Sequence, residues 1–78
     1  MKITKVKLNT FIKHEPSRKT FRVEMICGQF KKLTHIKVKR LLREPNIHLS
    51  KQLTIFNLRA LEDCKPVTIH QTVLEQLK

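Results

Sequence analysis

The segment from Val6 to Cys27 is written in steps of two, and that alternation constrains what this chain can fold into more than any other feature. Val6, Leu8, Thr10 and Ile12 fall on one side of an extended chain and Lys5, Lys7, Asn9, Phe11 and Lys13 on the other, because successive strand side chains point to opposite faces. Glu15-Pro16-Ser17-Arg18-Lys19 then interrupts the pattern with the residue types of a turn. Beyond it Phe21, Val23, Met25 and Cys27 alternate with Arg22, Glu24 and Ile26. Residues 3–27 therefore predict a β-hairpin with Val6, Leu8, Ile12, Val23 and Met25 on its buried face. Phe11, on the lysine side, reads as a packing residue against another element. Gly28, the only glycine, is expected to end the second strand. A chain with so few glycines is poorly supplied for the corners of a small all-β barrel.

Downstream the period changes. Between Gln29 and Arg43 two patterns overlap: Phe30, Leu33, Val38, Leu41 and Leu42 form a broad helical stripe, whereas Ile36 and Val38 alternate with lysines as in a strand. Helix is the preferred reading. It ends at Glu44-Pro45-Asn46, since proline disfavours helical geometry in the residue before it and Asn suits a turn. Ser50 is placed to cap a second helix, in which Leu53, Phe56, Ala60, Leu61 and Cys64 recur at three- and four-residue steps. After Pro66, Thr68 and Gln71 form a capping-box pattern ahead of Ile69, Val73, Leu74 and Leu77, predicting a C-terminal helix over residues 69–77. The expected class is α+β: an N-terminal β-hairpin packed against two or three C-terminal helices.

With 78 residues, residues 1–78 are expected to form one domain, because a second core would leave each half too small to cover itself. The 40% apolar and 29% charged residues are those of a folding chain, not a disordered one. A domain this small buries only about 60% of its unfolded surface, so a stability of about 5 kcal/mol is expected. Seventeen Lys and Arg oppose six Asp and Glu, a formal charge of +11, more than solubility requires. Residues 1–43 carry thirteen basic and two acidic side chains, and residues 44–78 carry four of each. That asymmetry points to a cationic half that meets a polyanion and a neutral half that serves as core or protein contact. The two cysteines, Cys27 and Cys64, and an N-terminus whose apolar runs are broken by lysine predict a cytoplasmic protein with reduced thiols. No stretch approaches the ~18 apolar residues of a membrane span.

Lys31, Lys32, Lys37, Lys39, Arg40 and Arg43 form the densest basic stretch and contain no acid among them. Lysines neutralise phosphates without strict geometry and arginines grip them through two bonds. Arg18 and Lys19 in the hairpin turn add a second contact. Residues Leu33 to Leu61 can also be drawn as helix-turn-helix, with Lys51, Gln52, Thr54, Asn57 and Arg59 as base readers. Against this stand a would-be recognition helix poor in cations and a long turn without glycine. Phe11, Phe21, Phe30 and Phe56 are the only aromatic side chains besides the histidines, and three have core positions, so phosphate contacts are favoured over base stacking. Cys27 with His35 and Cys64 with His70 are eight and six residues apart, wider than structural zinc pairs use, so no metal or other cofactor is expected. His14 beside Glu15, with His35, His48 and His70, supplies the residue types of a ribonuclease but no recognisable spacing. The reading is a non-enzymatic protein that binds DNA or RNA through phosphate-backbone contacts. Its rival is a small inhibitor or adaptor that binds an acidic surface or the nucleic-acid site of a partner protein. The neutral half, with Leu49, Ile55 and Leu58 off the main apolar stripe, offers a homodimer surface.

Overall fold

A computed structural model describes residues 6–29 and 32–77, so the expectations placed on residues 3–5, Phe30 and Lys31 lie outside the described residues. Five strands, β1 (Phe11–His14), β2 (Lys19–Gln29), β3 (Lys32–Leu42), β4 (His48–Asn57) and β5 (Cys64–Val67), form one antiparallel sheet in the order β4-β3-β2-β1-β5. A helix of five residues, α1 (Leu58–Glu62), joins β4 to β5, and one of six residues, α2 (Gln71–Gln76), follows β5. Of the hairpin expected over residues 3–27, β1 and β2 are present, but residues 6–10, read as most of its first strand, lie outside β1. The two or three helices packed against it are not present, because two of the segments read as helix are strands.

The reason lies in which period the tertiary structure uses. In β3, Ile36 and Val38 have no exposed surface and the alternate lysines Lys37 and Lys39 are half-buried on the other side. The steps of two therefore win over the helical stripe, helped by the strand preference of β-branched Ile36 and Val38. β4 overturns a helix in the same way. Of Leu53, Phe56, Ala60, Leu61 and Cys64, only Phe56, Leu61 and Cys64 enter the buried core, and Leu53 stays 43% exposed. Helical geometry begins only at Leu58, where Asn57 caps α1 by accepting a 2.8 Å hydrogen bond from the Ala60 amide through Oδ1. Ser50, the expected cap, lies inside β4. α2 falls within the expected 69–77, but its cap is His70, whose Nδ1 accepts from the Thr72 amide at 3.2 Å, and not Thr68.

The core is one cluster of Ile12, Phe21, Val23, Ile36, Val38, Phe56, Leu61 and Cys64, with Val6, Leu33 and Ala60 packed partly against it. Phe21 and Phe56 meet edge-on with centroids 4.8 Å apart, a favoured aromatic geometry. Phe11, placed by alternation on the lysine side, is nevertheless buried. Met25 corrects the expectation that it shares the core face with Val23. Val23 pairs with Val38, but Met25 pairs with Lys37, so Glu24 is an extra residue in β2. This β-bulge reverses the faces beyond it, turning Met25 outward to 47% exposure and bringing Ile26 into register with Ile36, although Ile26 itself stays 41% exposed. Leu8 is also exposed, at 54%. Asn9, with φ of 63°, bends the chain before β1 begins, although its amide still donates to the Val23 carbonyl at 2.9 Å.

Glycine scarcity did not prevent an almost all-β fold. Asn9 and Arg18 (φ 57°) supply the left-handed corners that glycine usually makes. Gly28 does not end β2. It sits inside the strand at a second register shift, between Cys27 and Gly28, where Thr34 Oγ1 donates to the Cys27 carbonyl at 3.2 Å. A Cβ on Gly28 would lie 2.3 Å from the Lys32 backbone oxygen, so this close approach requires glycine.

Two outcomes are expected from these contacts. Val23→Lys places an unpaired charge where no surface is exposed and abolishes cooperative unfolding; a folded variant would show that the Val23–Val38 pairing is wrong. Gly28→Ala must push back the β3 backbone and costs about 1–3 kcal/mol in denaturant titration. A neutral result would mean that the strands do not approach there.

Candidate functional site

One face of the sheet is core at one end and cleft at the other. Ile36, Val38, Arg40 and Leu42 follow one another at steps of two along β3, with Phe56, Thr54, Gln52 and Ser50 running the opposite way along β4. Phe21 faces Arg40 on β2, and Lys19 faces His14 on β1. Around Ile36 and Val38 the face is closed by Leu61 of α1 and Cys64 of β5. Past them, His14, Ser17, Lys19, Phe21, Arg40 and Leu42, with Ser50, Gln52, Thr54 and Phe56 of β4, enclose a cleft of about 410 Å³. His14 inclines over Phe56 with ring centroids 5.6 Å apart, held by a 2.7 Å hydrogen bond between its Nδ1 and Ser17 Oγ.

Beside it lies a second cleft of about 260 Å³, lined by Arg18, Lys19, Thr20, Arg40, Leu41, Leu42 and Arg43. Lys19 and Arg40 belong to both clefts. One turn and the end of one strand bring the four cations together. The β1–β2 turn places Arg18 in the left-handed conformation, its amide donating to the His14 carbonyl at 2.9 Å, and the end of β3 delivers Arg40 and Arg43. All four side chains are exposed, and among the described residues none has a hydrogen-bond or ion-pair partner. No carboxylate lines either cleft.

The remaining basic residues of the expected site do not join them. Lys37 and Lys39 face the opposite side of the sheet, paired in register with Met25, Ile55, Arg22 and Leu53. There Arg22 holds Glu24 through two hydrogen bonds, one of 3.0 Å from Nη2 to Oε1. These bonds, with the charges of Arg22 and Lys39, keep the Glu24 carboxyl below the ordinary carboxylate range. Lys32 stands at the far end of β3, eight residues from Arg40, roughly 25 Å along a strand. The residues that sequence reasoning missed are His14, Ser17, Ser50, Gln52 and Thr54. Gln52 and Thr54 do appear in the helix-turn-helix reading, but Leu33 to Leu61 is β3, a loop, β4 and part of α1, so their role as readers on a recognition helix is withdrawn. The step-of-two order of Ser50, Gln52, Thr54 and Phe56 was the available signal.

Acidic side chains gather elsewhere. Glu15, Glu62 and Asp63, with Pro16, Cys64 and Lys65, line a third cleft of about 390 Å³. Lys65 bonds Glu15 at 2.8 Å, and that hydrogen bond lowers the Glu15 carboxyl below its usual range. Four residues, Glu15 to Arg18, thus divide an acidic surface from a basic one. Among the described residues, no group of three or more His, Cys, Asp and Glu side chains is placed to hold a metal ion. No helix among them is long and apolar enough to cross a membrane. Comparison with protein-family models, curated proteins and solved structures finds no match to this chain.

Both cysteines are free thiols, Cys64 buried and Cys27 half-buried. Burial first, and then the charge of Asp63, pushes the Cys64 thiol up to about 11. A neutral thiol is favoured in the fold, so its contribution to stability is full below the ordinary thiol value of 9.0 and is lost as pH rises from there towards about 11. A thiol reagent at neutral pH is expected to modify Cys27 quickly and Cys64 only after unfolding. Equal rates for both would show that β5 opens in the native state.

Proposed function

We propose that this protein is a non-enzymatic nucleic-acid-binding protein of the cytoplasm that holds DNA or RNA by its phosphate backbone. The observation that carries this reading is the gathering of Arg18, Lys19, Arg40 and Arg43 around one cleft without a carboxylate. Guanidinium groups offer forked donors to phosphate oxygens, and an unpaired cation cluster releases condensed counterions from the nucleic acid when it binds. Lys32, Lys37 and Lys39, dispersed over the sheet, add a long-range field that speeds encounter without defining a site. A binding role is supported over catalysis by the scatter of the histidines: His14 ends β1, His35 lies in β3, His48 begins β4 and His70 caps α2.

Two triple variants of equal charge test the localisation. Arg18→Asn, Arg40→Gln and Arg43→Gln together remove cations from the cleft, Asn being chosen because it tolerates the left-handed backbone at position 18. Lys32→Gln, Lys37→Gln and Lys39→Gln remove as many from outside it. In binding titrations at several salt concentrations, the cleft triple is expected to lower the slope of log K against log salt by about 0.7 per lost contact on a single strand, or about 0.9 on a duplex. The outside triple should change it far less. Equal losses would mean that net charge alone binds, and failure of the wild-type protein to bind DNA or RNA at low salt would replace this reading by an acidic protein partner.

A further inference from the structure

Resting on that phosphate reading, we infer that the larger cleft receives the base of an unpaired nucleotide, so that the ligand is single-stranded nucleic acid and not a duplex. The two clefts share Lys19 and Arg40, which stand in register with His14 and Phe21, so a phosphate held by these cations lies directly beside the larger cleft. No other Lys or Arg, and no Asp or Glu, lines the larger cleft, and its remaining residues are of a different chemistry. It is lined by the rings of Phe21 and Phe56, with His14 inclined against Phe56, and by Ser50, Gln52 and Thr54 of β4.

That combination matches a nucleotide: an anionic phosphate at one end and a flat, apolar-faced ring with a hydrogen-bonding edge at the other. Gln52 supplies an amide that donates and accepts and Thr54 a hydroxyl that does both. Both residues are exposed, and among the described residues neither side chain has a partner. Ser50 is differently engaged, its Oγ accepting from the Gln52 amide at 3.2 Å, which steadies the backbone from which Gln52 projects. Phe21 and Phe56 are 5% and 8% exposed, so little of either ring is open to a ligand, and the half-buried His14 ring is the surface against which a base packs. A cleft of about 410 Å³ falls within the roughly 300–1,000 Å³ of small-ligand sites. A paired base has its hydrogen-bonding edge occupied and its faces stacked, so it must leave the duplex to enter, which costs free energy that a single strand does not spend.

The test uses the full chain and three labelled probes: a single strand of mixed sequence, a strand of the same length in which every base is replaced by an abasic sugar, and the duplex of the first. Fluorescence anisotropy at low salt is expected to show the abasic strand binding about tenfold more weakly than the normal one, with the duplex also weaker. Gln52→Ala with Thr54→Val, two exposed positions outside the core, should remove most of the difference between normal and abasic strands and leave abasic binding unchanged. The cleft triple at Arg18, Arg40 and Arg43 should weaken both strands alike. Equal affinity for normal and abasic strands, or tighter binding of the duplex, overturns the base cleft and leaves the phosphate site standing. Loss of binding to all three probes removes both.

Discussion

At the centre of the molecule Val23 faces Val38, both without exposed surface, and the placement of the other side chains in the β2–β3 hairpin depends on that register. Once the pair is buried, alternation assigns Ile36, Arg40 and Leu42 to the same face and sends Lys37 and Lys39 to the other. The extra residue at Glu24 then lets β2 bend and reverse its faces. Arg40 follows two buried positions along its strand, and it is a cleft residue rather than a buried charge only because α1 and β5 do not extend over it. A one-residue slip would expose Ile36 and Val38 and turn Lys37 and Lys39 into the core, at a cost no 78-residue protein could absorb.

The helices serve this arrangement more than they build it. α1 has five residues, too few to persist alone. It exists where Asn57 caps it, where Leu61 enters the core and where the Asp63 carbonyl accepts the Glu15 amide at 2.9 Å. That last bond ties the end of α1 to the β1–β2 turn, the same turn that divides the acidic cleft from the basic one. The cation cluster is therefore supported by a link between residues distant in sequence, and Arg18, in its left-handed conformation, sits at the junction.

Legibility in the sequence follows the range of the interactions. The turn between β1 and β2 could be read because its residue types are local, and Ile12 and Val23 are buried as expected, but of the alternating run Val6–Ile12 only Phe11 and Ile12 lie in β1 and both are buried. The bulge at Glu24 could not, because it depends on how β3 pairs, and so Met25 was placed on the wrong face. In β3 both periods were visible and only burial decides between them. β4 shows the same limit more strongly: Phe56, Leu61 and Cys64 are spaced as on a helix, yet they enter the core from a strand, a short helix and another strand. Of the basic residues singled out, Arg18, Lys19, Arg40 and Arg43 converge, from two stretches that are separate in sequence.

By itself the sequence determined the excess of positive charge, its concentration in residues 1–43 and the existence of an N-terminal hairpin, because each follows from composition or from neighbours along the chain. Only the tertiary structure decided that residues 32–42 and 48–57 are strands, that Lys37 and Arg40 face opposite ways, and that uncharged side chains of the second half complete a cleft begun by cations of the first. Those outcomes are set by strand pairing between distant segments. A strand's hydrogen-bond partners lie on other strands, so no window of sequence contains both sides of the interaction that stabilises it.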